Sequence, residues 1–427
     1  MKTNLFLALL FVLCLRTCSG EVIGGGETPE DPNTPTEQTE IREPKQLVFS
    51  SAEEQLQYRT NEFSMNMLTL IGQNETKKEN ICFSPLSASM ALGILMNGAD
   101  GNTLSQMQKT LGFEGVEQDD INAYYKNLLL TLPYLDTTTI VNIANALWLK
   151  EIFPFNQDYK QITEQVFDAT IDNVDDFTKQ ATLDMINQWG SDKTNGLINE
   201  IITRDMVSPS TVMIFANALY FKGIWESVFN KKLTQAGEFT TLSGQKVKTD
   251  MMRMDDDLLY TMSNDAQMVE LNYKDGKYCM DILLPAEGTD LSSFLETLTL
   301  NKWESYIKSL YSTQVHIELP KFKFNYNREL TDDLKKAGII DVFNPSANLS
   351  RLSNMDTYLS FVKQYCYIAV DEESTEAAAV TVGGVRTTSV GDNVAFIANH
   401  PFIFVIREKQ YGTILFTGIV GDPTKEE

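Results

Sequence analysis

Val370-Asp371-Glu372-Glu373-Ser374-Thr375-Glu376-Ala377-Ala378-Ala379-Val380-Thr381 runs on through Val382-Gly383-Gly384-Val385-Arg386-Thr387-Thr388-Ser389-Val390-Gly391-Asp392. A β-rich run, 367–370, precedes it, and a second, 402–406, follows it. The roughly thirty residues between have no helical period, and a loop of that length inside a compact domain is either functional or disordered. Read with period two, one face carries Thr375, Ala377, Ala379, Thr381, Gly383, Val385 and Thr387. Both charges, Glu376 and Arg386, fall on the other face. A small uncharged face opposite a charged one suits a strand with core on one side and water on the other. The stretch is a latent β-strand; the alternative is a flexible linker of small residues.

The rest of the chain sets the frame. Its 427 residues are enough for one large domain or two to three small ones. The hydrophobic fraction, 43%, is that of a globular protein. A net charge of −23 argues against a nucleic-acid partner, whose phosphates need Lys and Arg. Lys2 followed by the apolar run 5–15 reads as an export signal, too short to span a membrane. Two processing sites compete. Cys18-Ser19-Gly20 suits an ordinary signal peptidase, and Leu15-Arg16-Thr17-Cys18 resembles a relaxed bacterial lipobox with Cys18 lipidated. The domain reading is a signal peptide over 1–18, a disordered acidic tether over 19–47 and a folded domain over 48–427. The tether is rich in Gly, Pro and acids and poor in large apolar residues, so it cannot bury enough surface to fold.

Helices are expected over 53–70, 87–98, 103–111, 124–132, 157–165, 182–194 and 330–337. Strands are expected over 81–83, 141–149, 212–221, 239–241, 246–248, 266–273, 278–284, 313–319, 402–406 and 414–420. Segregated helices and mostly antiparallel strands make this an α+β protein. Cys82, Cys279 and Cys366 show no metal-ligand spacing and read as buried free thiols. His316 sits in strand alternation and His400 precedes Pro401, with no nucleophile elbow, phosphate loop or zinc-protease helix beside them. Both read as structural, and no catalytic residue, metal or cofactor is assigned.

Five motifs then carry a resemblance. Asn80-Ile81-Cys82-Phe83-Ser84-Pro85-Leu86-Ser87-Ala88-Ser89-Met90-Ala91-Leu92, with Gly98-Ala99 and Thr103 after it, resembles the serpin opening of strand, Ser-Pro-x-Ser and buried helix. Asn217-Ala218-Leu219-Tyr220-Phe221-Lys222-Gly223-Ile224-Trp225, Leu319-Pro320-Lys321-Phe322, the hinge-like Asp371 to Ala379, and His400 to Phe404 with Phe416-Thr417-Gly418 are similar to four further serpin signatures. They occur in family order across residues 50–425, as in a bacterial-type exported or lipoprotein serpin.

The resemblance implies three β-sheets, about nine helices and an exposed reactive loop offered as bait. A target serine protease, or a cysteine protease, attacks the loop and forms an acyl-enzyme. The cut loop then enters the main sheet as a new strand, and the protease is distorted and trapped. The implied hinge is Glu372, Glu373, Ser374, Thr375, Glu376, Ala377, Ala378, Ala379, Val380 and Thr381. Counting seventeen residues from Glu372, as the family does, gives Thr388-Ser389 as the scissile bond; Arg386-Thr387 suits a trypsin-like pocket and Val385 an elastase-like one. Ser84, Ser87, Asn217, Gln364 and Trp225 are implied as the gate to sheet opening. Ser374 stands where the family carries Gly, and Gln364 where many members carry His. The competing class is a non-inhibitory serpin acting as a binding or chaperone module. The expected protein is a monomer outside the cell or on its outer surface, touching membrane only through a lipid on Cys18, with a soluble secreted form as the alternative.

From Thr375 to Thr388 the loop would supply roughly 45 Å of strand at about 3.3 Å per residue. At about 1 kcal/mol net for each new ladder bond, insertion releases on the order of 10 kcal/mol.

Overall fold

The computed structural model describes residues 43–75, 78–375 and 394–426. Nine α-helices lie among them: α1 (Ser51–Asn74), α2 (Pro85–Gly98), α3 (Gly101–Leu111), α4 (Gln118–Thr131), α5 (Gln157–Phe167), α6 (Gln180–Lys193), α7 (Leu291–Thr297), α8 (Leu300–Ser309) and α9 (Thr331–Lys336). The strands are β1 (Ile81–Phe83), β2 (Ile140–Lys150), β3 (Thr170–Val174), β4 (Met213–Ile224), β5 (Gln235–Thr240), β6 (Lys246–Met262), β7 (Ala266–Asn272) and β8 (Tyr278–Pro285). They continue with β9 (Tyr311–Pro320), β10 (Phe322–Glu329), β11 (Phe361–Val370), β12 (Ser374–Thr375), β13 (Val394–Ile397), β14 (Phe402–Glu408) and β15 (Ile414–Val420).

Local chemistry explains where the central elements begin. Ser50 and Glu53 close a reciprocal capping box at the head of α1, which satisfies two orphan N–H groups. Ser84 caps α2 through its side chain, and Pro85 occupies the first turn, where its missing N–H costs nothing. Every residue of α2 is buried. A helix apolar on all sides belongs in the middle of a fold, and α2 lies within the main core with the fully buried hairpin of β14 and β15.

Two hydrogen-bonded ladders surround this core. One has nine strands in the order β1-β15-β14-β8-β7-β6-β9-β13, with β5 paired to β6. The 17-residue β6 serves two lobes. Its beginning pairs with β5 and its end with β7, while β9 runs beside it from Met251 to Tyr260. The two lobes, one on β5 and one on β7, are joined through β6 and β9 into a single hydrogen-bonded sheet, so the described strands form two sheets, not the three expected. The main sheet has six strands in the order β10-β11-β12-β4-β2-β3. Its strands lie between two apolar layers: the main core, and a smaller one built from Trp148, Phe177, Ile186, Ile201, Ile214 and Phe361 around α6. Burial on both faces explains the near-continuous apolar run of β4.

Sequence periodicity missed β3, β10, β13, α7, α8 and most of β6 and β11. In β10, alternate residues are buried, but Lys323, Asn325 and Asn327 dilute its β propensity. The middle of β6 is an acidic run, Asp255-Asp256-Asp257, that only tertiary pairing with β9 makes a strand. Leu47, read as tether, is buried at 1% exposure, and the Lys45 N–H donates to the Tyr134 carbonyl at 2.7 Å.

Candidate functional site

The main sheet has a divided centre. β4 and β11 pair directly and in parallel from Ile214–Phe361 to Ala218–Tyr365. Higher up, β12 stands between the same two strands. Thr375 is antiparallel to Val370 on one side and to Gly223 on the other, and Ser374 is opposite Ile224. Residues 219–222 and 366–369 separate the two zones. A strand of two residues is too short to hold itself, so its anchors lie elsewhere.

Those anchors surround residues 371–375. The Trp225 indole N–H donates to the Asp371 carbonyl at 2.9 Å, and the Trp225 backbone N–H to the Glu373 carbonyl at 3.0 Å. The Phe229 N–H donates to the Glu372 carbonyl at 2.8 Å. Asp371 turns back on its own segment, its carboxylate accepting the N–H groups of Glu373 and Ser374 at 2.9 and 3.0 Å. Glu372 is buried and receives Lys321 Nζ at 2.9 Å and the Thr234 hydroxyl at 2.7 Å. Burial alone would raise its carboxyl pKa; the bonds from Lys321 and Thr234 outweigh that and hold it below the usual glutamate value. Glu373 pairs with Lys231 at 2.7 Å. At the tip, the Tyr273 hydroxyl and Thr375 Oγ1 share a buried hydrogen bond of 2.7 Å.

A second cluster lies where β4 and β11 touch. The Ser84 N–H donates to Gln364 Oε1 at 2.9 Å, and Gln364 Nε2 donates to the Ser84 carbonyl at 2.8 Å. The same Nε2 reaches Asn217 Oδ1 at 3.4 Å, and Asn217 Nδ2 donates to Asn145 Oδ1 at 2.8 Å. Ser84 Oγ donates to the Leu415 carbonyl and accepts the Ser87 N–H. Gln364 thus ties the head of α2, β4 and β11 together in a fully buried place. A glutamine can do this because one amide supplies both donor and acceptor.

Of the five residues expected to act as a gate, Ser84, Ser87, Asn217 and Gln364 therefore meet. Trp225 does not join them; it binds the Asp371 carbonyl at the base of the hinge, seven residues along the chain from Gln364 and just past the end of β11, or about 23 Å of extended chain. Glu372, Glu373, Ser374 and Thr375 lie at the slot. Glu376, Ala377, Ala378, Ala379, Val380, Thr381, Val385, Arg386, Thr387, Thr388, Ser389 and Cys18 lie outside the described residues. Sequence reading missed Tyr273, Lys321, Thr234, Lys231 and Gly223 as site residues. Lys321 and Gly223 stood inside quoted motifs, but nothing in the sequence pointed them at the hinge.

The histidines have structural partners: His316 Nδ1 contacts Asp255 at 2.9 Å, and His400 Nε2 contacts the Pro285 carbonyl at 2.8 Å. Cys82, Cys279 and Cys366 are buried free thiols. Glu270, Cys279 and Asp281 have the spacing of metal ligands. Their carboxylates are already taken, however, since Arg407 binds both Glu270 and Asp281 and Lys409 binds Glu270 at 2.7 Å. The group is a buried ion-pair network with its charge matched by protein cations.

Residues 58–423 match the family model described as "Serpin (serine protease inhibitor)". Iripin-3 of Ixodes ricinus is 34% identical over 386 residues, covering 88% of this chain and 97% of that protein. The leukocyte elastase inhibitor of Equus caballus is 32% identical over 383 residues, covering 87% of this chain and 100% of that protein. The crystal structure of tengpin, a thermophilic serpin in its native state, is 31% identical and superposes with a TM-score of 0.81 over 90% of this chain and 98% of its own. The fold, the order of the motifs and these relatives agree: the chain belongs to the serpin family.

Proposed function

We propose that this serpin is a suicide-substrate inhibitor of serine endopeptidases, trypsin-like or elastase-like, and a binder of proteases rather than an enzyme. One observation carries the reading. Ser374 and Thr375 already stand as the first pair of a strand between β4 and β11, at the point where the chain enters the small-residue stretch from Glu376 to Thr381. After attack within residues 385–389, with Thr388-Ser389 the counted bond, the acylated loop zips down between the two strands. Gln364 must yield its bond to Asn217 for the slot to open. The small face beginning at Thr375 supports entry, because Ala377 and Ala379 present nothing bulky or charged to the core. The horse relative bears the name leukocyte elastase inhibitor, which is in the same class.

The leader supports export, with the domain outside the cell as a monomer, soluble or held by a lipid on Cys18. Mixing the purified chain with trypsin or elastase should give a covalent complex that survives denaturing electrophoresis. Mass spectrometry of the released C-terminal fragment should place the cut within 385–389. Clean cleavage with no complex and no gain in heat stability would favour a non-inhibitory binding module instead.

A further inference from the structure

Tyr273 follows β7 in the nine-stranded sheet, yet its side chain serves the other sheet. Its backbone bridges to Trp225, and its ring stacks on the Trp225 indole with centroids 4.7 Å apart and planes 12° apart. Phe221 meets it edge-on at 4.9 Å. Gly223 of β4 makes room: a Cβ there would fall 2.4 Å from Tyr273 Cδ1. The ring is therefore held on three sides with its hydroxyl presented to Thr375, both residues being almost wholly buried. The hydroxyl cannot follow Thr375 outward. Withdrawal of the hinge would strand a buried donor, a costly state for a polar group.

The contact also sets register. Thr375 is the first residue of the small face that continues with Ala377, Ala379 and Thr381. A slip of one residue would bring Glu376 to the same place and turn the charged face inward. We propose that Tyr273 is a positioning residue that holds the hinge part-inserted and in register before cleavage, and so biases the cut loop toward strand insertion over release by hydrolysis. This rests on the inhibitory reading above.

Tyr273→Phe removes the hydroxyl and keeps the packed ring. Hydrogen exchange in a peptide spanning residues 371–375 should quicken about fivefold, the equivalent of one net hydrogen bond of about 1 kcal/mol. The ratio of cleaved to complexed inhibitor, measured with trypsin, should rise by up to about the same factor. Thr375→Val should do likewise, and the double variant should add nothing, as two ends of one bond require. Unchanged exchange and partition in Tyr273→Phe, or effects that multiply in the double variant, would overturn the proposal. If the parent chain forms no complex with any protease, the inhibitory reading fails, and the exchange measurement alone decides whether the hinge is latched.

Discussion

Replacing Gln364 with Ala removes the one amide that joins α2, β4 and β11. The Ser84 N–H and carbonyl lose bonds of 2.9 and 2.8 Å in a place without solvent exposure. Asn217 keeps its bond to Asn145 and loses only a long one. A buried donor left unpaired costs about 1–3 kcal/mol, and the acceptor somewhat less, so the uncleaved protein should lose roughly 2–4 kcal/mol. Unfolding entropy of about 2.1 cal/mol/K per residue, over about 380 residues, makes each kcal/mol worth a little over 1 °C. The intact variant should thus melt roughly 2–5 °C lower by calorimetry. Gln364→His, which restores a donor and an acceptor, should recover part of the loss. Melting of Gln364→Ala within error of the parent would refute the idea that this amide holds the sheet closed.

Acid should release the hinge. The folded-state pKa of Glu372 lies below its ordinary value, so the carboxylate's contribution is fully present above about pH 4.5 and is lost as pH falls through the lower folded value. Exchange at residues 371–375 should rise in that window, and Glu372→Gln should abolish the pH step. Gly223→Ala would press a methyl into the Tyr273 ring; overpacking of this kind costs about 1–3 kcal/mol, visible as a lower denaturation midpoint. Arg407→Met should be far worse, because Asp281 would keep a buried charge without a partner and Glu270 would keep only Lys409; a loss of about 3–5 kcal/mol is expected in urea unfolding. Burial already pushes the Asp281 carboxyl up to about 6 despite Arg407, so the parent should lose stability as pH rises from about 4 to 6 through this group, the reverse of Glu372.

Elements with one dominant physical cause were legible in the sequence. The all-apolar α2, the apolar β4 and the C-terminal hairpin announce themselves by composition, and the Ser84-Pro85 start of α2 by its cap. Part of the site was legible too: the hinge-like motif includes Ser374 and Thr375, which form β12, while the rest of the two-faced stretch lies outside the described residues. What holds that stretch was hidden. Tyr273 reaches the hinge from another sheet, and Lys321 reaches Glu372 across 51 positions of chain; such pairs exist only after folding. Trp225 was assigned to the gate by its motif, while the structure places it at the hinge, since motif membership says nothing of which neighbour a side chain meets. The acidic middle of β6 was hidden for a related reason: three consecutive aspartates carry no strand signal until β9 pairs with them.

The central claim is that the cut loop becomes a strand between β4 and β11. Calorimetry of the intact chain and of the same chain nicked within residues 385–389 tests this directly. With about 10 kcal/mol released by new ladder bonds, the nicked form should melt about ten degrees higher than the intact one. Equal or lower melting after the cut would contradict the account.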